Sequence, residues 1–377
     1  MPIKIVHIAS GDSWAGAEVQ LFTLAKALHR NPDVSIRVIL LNHGELENRL
    51  KMLDIPVLVL NEFKISSLNI FWQLIKYLKH WKPDVVHTHR MKENVLGGLA
   101  AKIAGNIPSL RTVHGAQENY NGWRKPHKRA MSLLDNFIGK YVQARIIAVS
   151  GNLAKVLQNI YPADKIAVIE NGIDIKEVTS CMSDDEPNLY RNTKGSFKIG
   201  LVGRLVEVKR VDLFIKIAHY IKQNYPNSFL QFYIYGDGPM RAELESLCVK
   251  LNVQDIVRFE GHCKNIHKEI ASLNALIITS NHEGLPMTLL EAMALDTLVI
   301  SHSVGGIPDV LEQGNCGYLV NNQDVTEYSS VIMDIVNNQI HIKSVTDLAK
   351  QRVNKFYSSQ QNGMKFIEQY KGLHKES

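Results

Sequence analysis

The feature that most constrains the fold is a repeated alternation of short apolar runs with longer stretches of helical periodicity. Seven such runs lie in the first half of the chain, from residues 3–9 to residues 166–170. Six more lie in the second half, from residues 197–203 to residues 317–320. Strands that alternate with helices in this way pair as parallel strands with crossover helices. The sequence therefore predicts an α/β protein with two successive doubly wound parallel sheets.

A polar stretch without periodicity separates the two series of strands. We predict a first domain over residues 1–175, a linker zone over 176–196, a second domain over 197–355 and a final helix over 356–377. A chain of 377 residues is long enough to bury two cores of this size.

The sequence lacks the usual signals of export or membrane insertion. Its longest apolar runs are strand-sized, and residues 3–9 enter a strand without the basic-then-apolar pattern of a signal peptide. Its four cysteines are scattered and include no C-x-x-C pair, which fits reduced thiols in a cytosol. We therefore expect a cytoplasmic protein.

Positive charge is concentrated in the first half of the chain. Residues 1–170 contain 22 Lys and Arg against 13 Asp and Glu, a net charge of +9, and the rest carries −3. No aromatic platform or known motif accompanies these residues, so nucleic-acid binding is not predicted. The excess fits peripheral contact with an anionic membrane, at the inner face of the plasma membrane, or with a phosphate-bearing acceptor. A solvated surface explains it equally well.

Glu283 and Glu291 lie in a stretch that joins a buried strand to a helix. Residues 275–280 have the apolar pattern of a parallel strand, and Pro286 suits the first turn of a helix. Glu283 then lies at the carboxyl end of the strand, where ligands bind in open α/β sheets. Carboxylates at such a site are suited to accept hydrogen bonds from sugar hydroxyls. A single Glu beside a helix start also serves simply as a partner of the helix dipole.

The string from His282 to Ala294, H-E-G-L-P-M-T-L-L-E-A-M-A, resembles the Glu-x7-Glu signature of the retaining glycosyltransferases of family 4. The resemblance implies the GT-B fold, in which two Rossmann-like domains face a cleft and a C-terminal helix crosses back to the first domain. It implies transfer of a sugar from a nucleotide-diphosphate-sugar donor, a UDP-sugar before a GDP-sugar, to a glycan or lipid-linked acceptor. The expected setting is synthesis of bacterial surface polysaccharide, lipopolysaccharide or glycolipid.

The same resemblance assigns roles within the string. Glu291 would hold the ribose hydroxyls of the donor, and Glu283 would hold the hydroxyls of its sugar. Gly284, Leu285 and Pro286 would lie beside the donor, where free backbone N–H groups face an anion.

Arg204 and Lys209 follow the first strand of the second domain, in the string V-G-R-L-V-E-V-K-R. This resembles the family's G-R-x-x-x-x-K motif, whose Arg and Lys bind the donor diphosphate and stabilise charge on the leaving group. The two cations would do the work of a divalent metal, and the chain has no D-x-D motif. We therefore expect neither a metal nor another cofactor. Salt bridging at the surface is the alternative interpretation.

Glycine turns follow other strands. Gly16 lies in G-D-S-W-A-G-A-E, which is neither a P-loop nor a dinucleotide fingerprint and resembles the family's G-G-A-E loop with Ala15 in place of the first glycine. Gly236 and Gly238 lie in Y-G-D-G-P, which resembles a G-x-G-P turn beside the nucleotide. His262 follows the next strand, where the family's main chain reads the base.

His114 ends the fifth strand in T-V-H-G, and the resemblance places a histidine there beside the donor sugar. His87 and His89 end the preceding strand two residues apart, so both point to one face. They could ligate a metal, but no third ligand is evident, and a hydrogen-bonded core pair is the simpler interpretation.

Residues 123–129 form a basic stretch that precedes the apolar residues Met131, Leu133, Leu134 and Phe137. This pattern fits either contact with a membrane surface or a helix packed on its own domain.

Retention of configuration by double displacement needs a carboxylate at the anomeric carbon. No residue of the first half is clearly placed for that role, so we predict a same-face mechanism assisted by the leaving phosphate. Two other functions share the pattern. A non-hydrolysing nucleotide-sugar epimerase has the same architecture. A catalytically silent sugar-binding scaffold subunit would have the same fold without the activity.

Overall fold

A computed structural model describes residues 2–115, 126–182, 196–337 and 342–376. Its strands occur where the apolar runs predict them: β1 Ile3–Ala9, β2 Val34–Leu40, β3 Val57–Val59, β4 Val85–Thr88, β5 Ser109–Val113, β6 Arg145–Ala148, β7 Ile166–Val168, β8 Phe197–Val202, β9 Leu230–Tyr235, β10 Val257–Gly261, β11 Ala275–Ile278, β12 Leu298–His302 and β13 Tyr318–Val320.

The first twelve helices lie between these strands and the last three follow β13: α1 Gly16–His29, α2 Glu45–Lys51, α3 Ser67–Trp81, α4 Met91–Gly105, α5 Pro126–Tyr141, α6 Gly151–Leu157, α7 Ile175–Thr179, α8 Val211–Asn224, α9 Arg241–Lys250, α10 Ile266–Ser272, α11 Met287–Ala294, α12 Ile307–Val310, α13 Val325–Asn337, α14 Ile342–Phe356 and α15 Ser359–Glu376. Local signals set some of these bounds. For example, the Ser66 hydroxyl accepts a hydrogen bond from the Asn69 N–H at the start of α3, and Lys82 ends that helix in the left-handed region.

The strands form two separate parallel sheets. The first has the order β3-β2-β1-β4-β5-β6-β7, and the second has the order β10-β9-β8-β11-β12-β13. In each sheet the strand order reverses beside the first strand of its series, between β1 and β4 and between β8 and β11. This order is the doubly wound Rossmann arrangement, so the predicted fold class is confirmed.

Alternate residues of the strands feed cores on both faces of the first sheet. Ile5 of β1 and Leu40 of β2 belong to the core on one face, and Val6 and Ile39 belong to the core on the other. Helices cover both faces, which is why the strands are apolar along nearly their whole length.

The chain divides into two compact units, one of residues up to Gly172 with those from Ser359 onward, and one of Ile173–Ser358. The final helix therefore belongs to the first unit, where Phe366, Ile367 and Tyr370 are buried in the core. The described part of the predicted linker, residues 176–182, belongs to the second unit, because α7 packs on α11. Residues 183–195 of that linker lie outside the described residues.

Among the helices of the described ranges, none combines the length and the apolar character that crossing a bilayer requires.

We expect Phe366→Ala to lower the unfolding free energy of the first unit by about 3–5 kcal/mol, because it leaves a cavity in the core. Met364→Ala removes a side chain of the same helix that is 56% exposed, and it should change stability by about 0.5 kcal/mol at most. All four tryptophans lie in the first half of the chain, so their fluorescence during urea unfolding reports on this unit. Equal destabilisation by both variants would contradict the burial of the helix.

Candidate functional site

The loops after β8 and β11 form the carboxyl edge of the second sheet at its switch point. Hydrogen bonds join the two loops. The Thr279 hydroxyl donates to the backbone oxygens of Lys209 and Arg210 at 2.8 and 3.0 Å, and the Asn281 N–H donates to the oxygen of Val208 at 2.8 Å. The two loops therefore hold their side chains in fixed positions relative to each other.

Lys209 and Glu283 meet at this edge. The Lys209 Nζ atom donates to Glu283 Oε1 at 2.6 Å, and the side chains are 27% and 12% exposed. They line a small pocket with Thr279, Ser280 and Thr288. The sequence predicted both residues for the site, but it did not predict that they pair. Because the pair is partly buried, loss of one partner would leave an uncompensated charge.

Arg204 lies in the same loop with its side chain exposed, and that side chain makes no ion pair or hydrogen bond within the described ranges. The side chain of Arg210, the residue after Lys209, is instead hydrogen-bonded to its neighbours. Its guanidinium donates to Asp212 at 3.0 Å and to Gln323 at 2.8 Å. The edge therefore carries three cations. Lys209 and Arg210 are held by their neighbours, and the side chain of Arg204 is available to a ligand.

Glu291 is buried in α11, and its Oε1 atom lies 3.6 Å from His267 Nε2 of α10. Sequence reasoning missed His267, because one histidine in a short helix carries no motif. Glu291 thus has a different partner from Glu283, although both belong to the predicted donor string.

The predicted glycines bring loops close to each other. A Cβ atom at Gly236, whose φ is +136°, would lie 2.0 Å from the backbone oxygen of Gly203, and one at Gly238 would lie 2.5 Å from that of Leu205. Gly305, with φ +60°, is equally tight against the oxygen of Glu283 at 1.9 Å. These positions need glycine for the packing of the site loops themselves.

The remaining donor-string residues shape the start of α11. Gly284 accepts a hydrogen bond from the Gly306 N–H at 2.8 Å, and Leu285 is buried. Pro286 precedes the first residue of α11, and the helix has no side-chain cap. His262 is exposed just after β10, the outer strand of the sheet.

In the first unit, the loop after β1 carries an ionic cluster. The Arg90 guanidinium pairs with Glu18 and lies 3.4 Å from Asp12 Oδ1. Burial raises the pKa of Glu18, and the Arg90 charge opposes that rise. Gly16 begins α1, and a Cβ there would meet nothing within 4 Å, whereas Gly11 has the positive φ of +85°. Gly11 is therefore the glycine that this turn requires, and Arg90 is an edge residue that the sequence did not reveal.

Four histidines lie on one face of the first sheet. His7 of β1 is in register with His87 of β4, His89 follows β4, and His114 follows β5. His7, His87 and His89 are buried, and each is hydrogen-bonded, as the core interpretation predicts. Burial lowers the pKa of His7 to about 3, and burial together with the Arg90 charge lowers that of His114 to about 4.

No third metal ligand beside His87 and His89 was evident in the sequence, and the structure supplies one in His7. Ligand atoms of His7, His87 and His89 lie within 4.8 Å of one another. The sequence hid this because His7 is about eighty positions away and only parallel pairing of β1 with β4 brings it close. These imidazoles are the described residues best placed to hold a borderline ion such as Zn²⁺, whose ligand is neutral histidine. Their nitrogens hydrogen-bond within the cluster instead.

Helix α5 presents several of its large apolar residues outward, although Ile138 is buried. Leu133, Phe137 and Tyr141 are 63%, 55% and 62% exposed, and Met131 and Leu134 are exposed beside them. The helix packs inward through Asp135, which accepts hydrogen bonds from the buried Arg111 side chain at 2.9 and 3.0 Å. Because a buried guanidinium needs its partners, Asp135 turns inward, where Ile138 of the same helix is also buried. Residues 123–125 of the basic stretch lie outside the described residues.

Two family models match the chain. "Glycosyltransferase Family 4" matches residues 14–177, and "Glycosyl transferases group 1" matches residues 183–353. A relative named UDP-Gal:alpha-D-GlcNAc-diphosphoundecaprenol alpha-1,3-galactosyltransferase, from Escherichia coli, is 26% identical over 90% of this chain and 89% of its own. A GalNAc-alpha-(1->4)-GalNAc-alpha-(1->3)-diNAcBac-PP-undecaprenol alpha-1,4-N-acetyl-D-galactosaminyltransferase from Campylobacter jejuni is 26% identical over 94% of both chains.

Among solved structures, the Anabaena protein HepE in complex with UDP resembles this chain with a TM-score of 0.83 at 19% identity, over 98% of this chain and 100% of its own. HepE has also been solved with UDP-glucose, with a TM-score of 0.81 at 18% identity over the same shares. At these identities the likeness concerns the fold.

The lowered pKa values of the histidines predict acid sensitivity. The unfolded chain, with a histidine pKa near 6.5, binds protons first as pH falls, so stability is lost below pH 6.5. Each histidine whose folded pKa is about 3 or 4 should cost about 1.4 kcal/mol per pH unit there.

We therefore expect the tryptophan-monitored unfolding free energy to fall between pH 7.5 and 5.5, and to fall less in His7→Gln. The control is His219→Gln, which changes a histidine of the second unit that bonds the Leu251 backbone oxygen. The same pH slope in His7→Gln and the unmodified chain would contradict the burial of a neutral His7.

Proposed function

The chain belongs to the GT-B glycosyltransferases of group 1, and from this we propose that it moves a sugar, with retention of configuration, from a nucleotide-diphosphate-sugar to a hydroxyl of a lipid-linked acceptor. The observation that carries the proposal is the edge of the second sheet, where Lys209 pairs with Glu283 beside the exposed Arg204. Two cations, Arg204 and Lys209, can bind a diphosphate, and the Glu283 carboxylate can accept hydrogen bonds from a sugar next to it.

In this proposal Arg204 and Lys209 bind the donor diphosphate and stabilise the charge that grows on it as the sugar leaves. Glu283 accepts hydrogen bonds from the sugar hydroxyls, and Glu291, beside His267, accepts them from the ribose. The two cations supply the positive charge for which other enzymes use a divalent ion, so we propose metal-independent transfer with no other cofactor.

A UDP-sugar is the preferred donor, with a GDP-sugar second. Two observations support this choice: a structure similar to this chain was solved with UDP-glucose, and a relative is named for a UDP-Gal donor. For the chemical step we propose same-face displacement. Asp12 and Glu18 are carboxylates at the edge of the first sheet, and both form ion pairs with Arg90. We therefore do not propose either of them as a nucleophile.

We place the acceptor on an undecaprenol-type lipid at the inner face of the plasma membrane, in surface polysaccharide or glycolipid synthesis. Two relatives carry names with diphosphoundecaprenol-linked or PP-undecaprenol-linked acceptors. The apolar face of α5 would enter the interface, while the exposed Arg129 and Lys140 of the same helix would attract anionic headgroups.

Donor use can be tested by nucleotide release from a panel of UDP-, GDP- and ADP-sugars in the presence of EDTA. We expect slow release from one donor. Glu291→Gln should reduce it about 10- to 100-fold, since a hydrogen bond to a charged group is worth about 1.5–3 kcal/mol. Glu243→Gln changes an exposed carboxylate of α9 in the same unit and should leave release unchanged.

Three results would count against the proposal. Release that EDTA abolishes would overturn metal independence. Conversion of the donor to an isomer without any acceptor would indicate an epimerase. No binding of any donor would indicate a scaffold subunit that has the fold but not the activity.

Membrane contact can be tested by sedimentation with vesicles of phosphatidylglycerol or of phosphatidylcholine. We expect the chain to bind the anionic vesicles, and the double variant Leu133→Gln/Phe137→Gln to bind them several-fold more weakly, because two apolar side chains no longer enter the interface. Val249→Gln changes a residue of the second unit with similar exposure, 62%, and should bind normally. Equal binding of both variants would exclude α5 as the contact.

A further inference from the structure

A continuous path of hydrogen-bonding groups leads from the interior of the first unit to His114. At the outer end, His114 Nε2 lies 3.4 Å from His89 Nδ1, and His89 Nε2 lies 2.9 Å from His7 Nδ1. The rings of His7, His89 and His114 follow one another nearly parallel, with interplanar angles of 18° and 23°.

The path continues inward through a tyrosine. His7 Nε2 lies 3.5 Å from the hydroxyl of Tyr370, which is itself 2.8 Å from His87 Nδ1. His87 Nε2 lies 2.8 Å from the hydroxyl of Thr112, where the path ends. Tyr370 belongs to the final helix, so α15 supplies a link that the sheet alone does not contain.

The four rings are neutral at pH 7, because burial lowers the pKa of each well below its ordinary value. A neutral imidazole has one N–H and one bare nitrogen, so it donates at one end and accepts at the other. Each hydrogen bond of the path needs one donor and one acceptor, so the tautomer of one ring fixes the tautomer of the next. All four histidines must therefore carry their proton on Nδ1, or all four must carry it on Nε2.

The buried end of the path decides between these two arrangements. With protons on Nε2, His87 would donate to Thr112, and the Thr112 hydroxyl hydrogen would need another acceptor. Thr112 is buried, and within the described ranges its hydroxyl bonds only to His87. A buried hydroxyl without an acceptor is destabilising, because it has given up its hydrogen bonds to water and gained none in return.

With protons on Nδ1, the Thr112 hydroxyl donates to His87 and every buried donor in the path has an acceptor. The last N–H is then at Nδ1 of His114. This residue is only partly buried, and its Nδ1 atom forms no hydrogen bond within the described part of the chain.

We propose that Thr112, His87, Tyr370, His7 and His89 are positioning residues that hold His114 as the Nδ1–H tautomer, so that it donates a hydrogen bond to a hydroxyl oxygen of the donor sugar. The contact with the sugar rests on the proposed function, whereas the common tautomer is a property of the unliganded protein. His114 in this state acts as a hydrogen-bond donor and does not act as a general base. It therefore selects sugars with an oxygen at the contacted position.

The test is nitrogen NMR of the full chain labelled with ¹⁵N-histidine, without any donor. We expect His7, His87, His89 and His114 to show protonated Nδ1 and bare Nε2 between pH 8 and 5.5. Thr112→Val removes the hydroxyl that begins the path while keeping the shape of the side chain, and it should give His114 a mixture of tautomers. Thr112→Ser keeps the hydroxyl and should restore the single state.

A second variant removes a hydrogen-bonding group from the middle of the path. Tyr370→Phe should also release His114, and Tyr328→Phe, which removes another buried hydroxyl that donates to the Ile278 oxygen in the second unit, should not. A purely structural role of Thr112 would leave the ring nitrogens of His114 unchanged in Thr112→Val.

The proposal is overturned if the histidines of the unmodified chain carry Nε2–H or mixed tautomers. It is also overturned if added Zn²⁺ binds stoichiometrically and shifts the ring nitrogens of His7, His87 and His89, since the cluster would then be a metal site. The measurement needs no substrate. A chain that bound no nucleotide-sugar would refute the proposed function and leave the tautomer result standing.

Discussion

Parallel pairing of the central strands is the constraint on which both candidate sites depend. In each sheet the order reverses beside the first strand, at β1 and β4 and at β8 and β11. The chain leaves those neighbouring strands toward opposite faces, which is the arrangement that places ligand sites at the carboxyl edge of open α/β sheets. Lys209 and Glu283 meet across one such edge, and His89 and His114 lie along the other.

The two edges offer different chemistry. The second sheet presents full charges, with Lys209 paired to Glu283 and Arg204 without a partner in the described ranges. Such a site suits a diphosphate, whose own charges offset the desolvation of the cations. The first sheet presents neutral imidazoles in a buried row, where burial removes charge and leaves directional hydrogen bonds. Such a site suits uncharged hydroxyls.

Most of the architecture could be predicted, because the strands of a covered parallel sheet are apolar along their length and stand out in the sequence. The observed strands lie within or close to the predicted runs, and the glycine strings marked the loops that pack together at the site. Helix α5 is the place where the sequence left two interpretations open. Arg111, buried beneath the helix, holds Asp135 inward, and Ile138 is also buried, whereas Phe137 of the same helix is exposed.

Periodicity and short strings are local information, so the order of residues was enough to predict the two α/β units, the sheet edges that carry the candidate sites, and the candidates Arg204, Lys209, Glu283 and His114. Which of these groups meet depends on how the chain folds. His7 joins His87 through strand pairing, Tyr370 arrives from the far end of the chain, and His267 reaches Glu291 from another helix. Contacts between distant residues depend on strand order and helix packing, and nothing in the spacing of those residues along the chain records either of them.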